Sequence, residues 1–237
     1  MASIDPAAPQ VDARRRVFGA LGDIHGDFAS VRGIMARHPD VPFWICVGDL
    51  ADDQGRYEPV DAPLYWIKGN NENFDAIASA SLPPSLRFIP NGVVITIEGL
   101  RLAGLGGTFA PNWYLTPAAD LPHPKKGTAR ATELADKRRH FVREEVERCK
   151  AMTDLDVFLT HEAPRPYRVH GGRGPDAGKT PINEVLAAAQ PRLHLFGHHH
   201  EWSNQVRQNV RSLGLDAVSR SYLLVDPQTM QFEQVTL

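Results

Sequence analysis

Short apolar runs punctuate this chain, and each stops just ahead of a polar residue in a glycine-rich break. The run at 17–21 ends at Gly22-Asp23, the run at 43–47 after Pro42 ends at Gly48-Asp49, and the run at 64–67 leads into Gly69-Asn70. Apolar runs of this length, bounded by turn residues, predict buried strands. Phe28, Val31, Ile34 and Met35 follow a helical spacing and predict a helix over 28–38. The runs 93–97 and 100–103 flank Glu98-Gly99, which predicts a tight antiparallel hairpin after the parallel portion, hence a mixed sheet.

The second half repeats the strand-then-polar grammar. The run 157–160 ends at His161, and 193–196 ends at Gly197-His198. Thr180-Pro181 is a helix-start signal, predicting a helix over 180–189. The runs 222–225 and 232–235 predict a closing hairpin. A helix is expected over 128–150, with Leu134, Phe141, Val142, Val146 and Cys149 as its apolar stripe and Glu133/Lys137 and Glu144/Arg148 spaced to pair. The stretch 104–127 is rich in glycine, proline and aromatics, and a loop of that length is usually functional, here as a cover for a site. Residues 1–14 read as a flexible tail and 15–237 as one domain.

Composition narrows the class. Hydrophobic residues at 42% and charged residues at 23% fit a globular chain with a sizeable core. The formal net charge of −2 offers no global pull on nucleic acid or anionic lipid, so phosphate recognition has to be local. Cys46 and Cys149 match no metal or redox spacing, which predicts a reducing, cytoplasmic setting. No apolar run approaches the roughly 18 residues that would span a bilayer.

The chemistry gathers at five strand ends: Asp23-Ile24-His25, Asp49, Asn70, His161, and His198-His199-His200. In open α/β sheets ligands collect beyond the carboxyl ends of strands, so these distant residues can share one rim. Two aspartates, one asparagine and four histidines, with no thiolate, suit Mn²⁺, Fe or Zn²⁺. Alternate residues of an extended segment share a side, so His25 joins Asp23, His200 joins His198, and His199 points away. Where glycine stands beside a ligand it is expected to let the backbone turn sharply.

In the order D-x-H-G, G-D, G-N-x-E, a lone histidine, then G-H-x-H, the chain resembles the calcineurin-like metallophosphoesterase family from Val17 to His200. The resemblance implies a four-layer α/β/β/α sandwich with mixed sheets and a dinuclear site at the sheet rim. It implies that Asp23, His25, Asp49 and His200 bind one divalent ion, and Asp49, Asn70, His161 and His198 the other, with Asp49 bridging. The ions are expected to be Mn²⁺, with Fe, Zn²⁺ or Ni²⁺ as alternatives. Such a centre hydrolyses a phosphate ester through a hydroxide shared by the two ions. Asp49, Asn70, Asn71 and His161 are then the expected catalytic group. A phosphodiester or nucleotide-like small molecule is the favoured substrate. The rival readings are a phosphomonoesterase, a dinucleoside polyphosphate hydrolase, or a non-catalytic scaffold of the same fold.

Departures from the family pattern sharpen these expectations. Many members carry histidine where this chain has Asn71, which can donate a hydrogen bond but not deliver a proton. Good leaving groups are therefore favoured unless His123 or His170 substitutes as the acid. Asp53 stands where protein Ser/Thr phosphatases carry a phosphate-binding arginine, which argues against a phosphoprotein substrate. Segments 102–109 and 158–164 look somewhat like lariat-debranching members. Asp52 and Glu72 are expected to orient neighbours rather than bind metal. His38, His140, His194 and His199 are expected to be structural. Seven Lys/Arg between 125 and 143, an excess of five positive charges, form either a solvated helix face or a basic wall for nucleic acid. Arg165, Arg168 and Arg173 follow His161 as candidate phosphate clamps. Gly178-Lys179-Thr180 is rejected as a P-loop because Arg173 occupies the required first glycine.

Overall fold

The computed structural model describes residues 17–124 and 135–237; the expected tail at 1–14 and the part of the expected helix at 128–134 lie outside them. One sheet holds β1 (Phe18–Leu21), β2 (Trp44–Cys46), β3 (Leu64–Trp66) and β4 (Leu86–Phe88) in parallel. Its other edge is the antiparallel pair β13 (Ser221–Val225) and β14 (Phe232–Thr236), giving the order β14-β13-β1-β2-β3-β4. A second six-stranded sheet contains β5 (Ile95–Ile97), β6 (Leu100–Leu105), β9 (Val157–Thr160), β10 (Leu193–Phe196), β11 (Ser203–Arg207) and β12 (Val210–Gly214). Its order is β11-β12-β10-β9-β6-β5, with β6, β9, β10 and β12 parallel and both edges antiparallel. A two-strand ladder joins β7 (Thr108–Phe109) to β8 (His140–Phe141).

Two-residue alternation stacks the layers. Phe18, Ala20, Ile45 and Val47 face Leu102, Leu159, Leu195 and Leu213 in the core between the sheets. Leu21, Trp44, Cys46 and Trp66 point the other way, onto α1 (Phe28–Arg37) through Phe28, Val31, Ile34 and Met35. On the far side, Ala103, Leu105 and Phe158 pack against α3 (Arg143–Lys150) and α4 (Thr180–Ala189) through Val146, Cys149, Ile182, Val185 and Leu186. The result is the four-layer α/β/β/α sandwich. Burial of each Val, Leu, Ile, Phe or Met among these contributes roughly 1.5–3 kcal/mol, so both faces of both sheets carry stabilisation. Parallel strands buried on both faces explain why the sequence shows short, nearly continuous apolar runs there.

The expected helix over 128–150 is corrected: among the described residues it begins only at Arg143. Phe141 fills the predicted apolar stripe but does so from β8, and residues Lys137–Arg139 form one 3₁₀ turn. Lys68 imposes this from across the chain, its Nζ donating to the carbonyls of Arg138 and His140 at 2.8 and 3.0 Å. Glu144, expected to pair with Arg148, accepts from the Ala118 backbone N–H at 3.0 Å. The short helix α2 (Phe74–Ala78) and the polar hairpin β11–β12 were not expected from the pattern. Both cysteines are free and buried, and no described helix is long and apolar enough to cross a membrane.

Candidate metal centre

Strands β1, β2 and β3 of one sheet and β9 and β10 of the other deliver their carboxyl ends to a common rim. All seven residues expected to bind metal meet there. Asp23 and Asp49 are almost fully buried, His161 is buried, and His25 is exposed. His25 Nε2 lies 3.1 Å from His200 Nε2, and His200 Nε2 lies 2.9 Å from Asp23 Oδ2. His161 Nε2 lies 3.2 Å from His198 Nδ1 and 3.1 Å from Asn70 Oδ1. The donors form two groups, Asp23/His25/His200 and Asp49/His161/His198. Asp49 spans them, with Oδ2 3.7 Å from His25 Nε2 and Oδ1 3.5 Å from His161 Nε2.

The donor set fits a cation on chemical grounds. His161 Nδ1 sits 2.9 Å from the Val47 carbonyl, an acceptor, so that nitrogen carries a proton and the neutral ring presents its lone pair at Nε2. That lone pair confronts the Asn70 and Asp49 oxygens, and facing acceptors repel unless positive charge lies among them. The local field agrees: burial works to lower the His161 pKa, but the Asp49 and Asp23 carboxylates outweigh it and raise it. Burial opposes ionisation of Asp23 as well, yet the hydrogen bond to His200 and the nearby His161 hold its pKa below the usual value. His198 is pushed down to about 4 by burial and by His161, leaving it neutral as a ligand must be.

The backbone is bent to this purpose. His25, Asp49, His198 and His200 have φ of 47°, 52°, 69° and 50°, a left-handed conformation that side chains with a Cβ rarely adopt and that clusters at functional sites. The expectation that glycine beside a ligand lets the backbone turn holds for some of these positions and not for others. Gly48 does so at φ 112°, but Gly69 and Gly197 do not have positive φ and instead leave room for the carboxylates. A Cβ on Gly197 would lie 2.2 Å from Asp23 Oδ1.

Glu72 binds no candidate ligand side chain; it organises the loops that carry them. Its carboxylate accepts from the N–H groups of Leu50, Ala51 and Gly69 at 3.1, 3.4 and 3.2 Å and from the Tyr57 hydroxyl at 2.9 Å. Burial and the Asp49 charge push its pKa up to about 7. Glu72→Gln is expected to weaken divalent-ion affinity about 10- to 100-fold, since an amide turns an N–H toward donors it should accept from. Competition titration with a chromogenic chelator checks this, and unchanged affinity would refute it. Asp52 fastens its own turn, accepting from Gln54 and Arg56.

Other expected residues either border the centre or lie apart from it. Asn71 donates its backbone N–H to Asp49 Oδ1 at 2.7 Å and its amide to the Ala51 carbonyl at 3.1 Å. The His199 ring turns away and stacks on Tyr167 at 4.8 Å. His38, His140 and His194 bond to Tyr222, Thr108, and the Thr160/Ser212 pair. His123 faces the Leu121 carbonyl, and His170 lies in a loop whose N–H groups cap Glu201; neither ring bonds a predicted ligand among the described residues. Arg165 is committed to Asp176 and Arg168 to the Gly174 carbonyl. Part of the basic stretch, 125–134, lies outside the described residues. Tyr57 and Arg220 belong to no motif, and nothing in the local pattern marks them.

A family model described as calcineurin-like phosphoesterase matches residues 17–202. The chain belongs to the calcineurin-like phosphoesterase family. It is 24% identical over 155 residues to a lariat debranching enzyme of Drosophila pseudoobscura pseudoobscura, covering 57% of this chain but only 28% of that protein. A solved structure of a Thermus thermophilus protein superposes with TM-score 0.63 at 15% identity, covering 94% of this chain and 99% of the other. A dimetal phosphatase from Danio rerio gives TM-score 0.54 at 10% identity, covering 93% and 98%. The matched residues 17–202 of this family member include both donor groups at the rim.

Proposed function

We propose that the protein is a dinuclear-metal phosphoesterase acting on a phosphodiester or nucleotide-like small molecule, with Asp23, His25, Asp49 and His200 holding one ion and Asp49, Asn70, His161 and His198 the other. The observation that carries this is the position of Asp49, one carboxylate oxygen facing each donor group. Two divalent ions would supply Lewis acidity, neutralise phosphate charge and lower the pKa of water toward neutrality. The chain's own residues do the positioning. Val47 fixes the His161 tautomer, Glu72 holds the 49–51 and 69–70 backbones, and the Asn71 N–H orients Asp49 Oδ1.

Asn71 also supports a leaving-group preference. Its amide is engaged by the Ala51 carbonyl and has no proton to give, so leaving groups that depart without protonation are favoured. Resemblance to a lariat debranching enzyme supports a diester, and Asp53 in place of the arginine of protein phosphatases speaks against a phosphoprotein. Cytoplasmic location and Mn²⁺ as the native metal belong to the same proposal. The test is turnover of bis(4-nitrophenyl) phosphate against 4-nitrophenyl phosphate by protein stripped with EDTA and reloaded with Mn²⁺, Fe²⁺, Zn²⁺ or Ni²⁺. Reloaded protein is expected to regain at least about a hundredfold over stripped protein, with the diester preferred. Equal rates before and after stripping would end the metal-dependent reading.

A further inference from the structure

One guanidinium reaches the rim from beyond the last family motif. Arg220 ends the loop that follows β12, a strand parallel to β10, so the loop emerges at the same edge as His198 and His200. The loop is clamped there. Leu215 N–H donates to the Phe196 carbonyl at 2.8 Å and Val218 N–H to the Asp23 carbonyl at 3.0 Å. The Asp216 carbonyl oxygen packs so closely on Gly22 that a Cβ there would lie 1.8 Å away. Leu237 N–H donates to the Arg220 carbonyl at 2.9 Å.

The side chain is anchored as well. Arg220 Nη1 donates to the His200 carbonyl at 3.1 Å and to Asp216 Oδ1 at 3.2 Å. Nε and Nη2 form no hydrogen bond among the described residues, and the side chain is 66% exposed. A guanidinium engaged through Nη1 leaves Nε and Nη2 as a planar pair of donors, which matches two oxygens of a phosphate. Two other cations among the described residues are paired: Arg165 with Asp176, and Lys179 Nζ with Glu162 Oε1 at 3.3 Å. Asp53 cannot serve, having the wrong charge.

We propose that Arg220 is a substrate-binding residue, its Nε and Nη2 donating to two non-ester oxygens of a phosphate group lying beside Asp23, His25 and His200. This rests on the phosphoesterase reading and names the anchor for the substrate's charge. Asp216 and the His200 carbonyl set its orientation in advance, so little side-chain freedom is lost on binding.

The experiment compares wild type, Arg220→Gln and Arg220→Lys, each reloaded with Mn²⁺ and checked for metal content. Inorganic phosphate binding is measured by calorimetry, and KM and kcat with bis(4-nitrophenyl) phosphate. Losing a charge-assisted forked contact is expected to weaken phosphate binding and raise KM roughly 10- to 100-fold in Arg220→Gln. Metal content should stay at the wild-type level, and Arg220→Lys should fall between, keeping charge without the fork. Wild-type phosphate affinity in fully metallated Arg220→Gln would overturn the proposal. So would a loss that tracks lost metal, because Arg220 would then act only through His200. If wild type turns over no ester while Arg220→Gln still binds phosphate more weakly, the anion site stands and the catalytic reading fails.

Discussion

Asp49→Asn is expected to lower turnover of an aryl phosphodiester by roughly a thousandfold or more, beyond the about 10- to 100-fold typical of losing a residue that merely supports a ligand. The reason is positional. Each Asp49 oxygen faces a different donor group, and only a carboxylate offers two equivalent anionic oxygens. Asparagine keeps the shape and one acceptor, so the bond from the Asn71 N–H survives while one group loses its shared oxygen. Folding should not suffer. The Asp49 charge works against ionisation of Glu72 but favours that of His161, so in metal-stripped protein its removal relieves one repulsion and forfeits one attraction. Thermal unfolding separates these effects: stripped Asp49→Asn should melt close to stripped wild type, whereas the rise in Tm on adding Mn²⁺ should shrink strongly. Full activity in the variant, or an undiminished Mn²⁺-induced rise, would remove Asp49 from its bridging role.

The place of Asp49 was legible in the chain because local rules and the fold agree at the site. Strand runs ending at Asp23, Asp49, Asn70, His161 and His198 are short-range patterns, and parallel strands buried on both faces turn them into a shared rim. Strands β9 and β10 and helix α4 coincide with the predicted 157–160, 193–196 and 180–189. What the pattern did not carry was set by distant partners. Phe141 has helical spacing, but Lys68, more than seventy residues earlier, ties the Arg138 and His140 carbonyls and holds that segment extended. Strand β11 reads Ser-Asn-Gln-Val-Arg because it is a half-exposed edge with no apolar face to advertise it. Arg220 lies beyond every motif, and only the pairing of β12 with β10 brings it beside His200.

Gly69→Ala is the second substitution expected to have a large effect, and it tests whether the glycines serve space rather than turning. Gly69 does not have positive φ, so alanine would suit its backbone. Yet the added methyl carbon would lie 1.9 Å from Asp49 Oδ1, 2.5 Å from Asp49 N and 2.7 Å from Asp49 Cγ. Asp49 cannot retreat, because the Asn71 N–H holds its carboxylate and the N–H groups of Ile24 and His25 hold its carbonyl. Overpacking of this kind costs about 1–3 kcal/mol in stability, and displacement of a ligand by an ångström costs about a hundredfold in rate. Gly33→Ala is the matched control. It sits on the exposed side of α1 with nothing within 4 Å of its added carbon, so it should stabilise by about 0.5–1 kcal/mol and leave turnover alone. Urea unfolding and steady-state rates on both variants decide the matter. If Gly69→Ala keeps wild-type turnover, the close approach between β2 and β3 is not what fixes the carboxylate. If it loses turnover while Gly33→Ala does not, the absence of one methyl group at the strand end is as much a part of the metal centre as the ligands themselves.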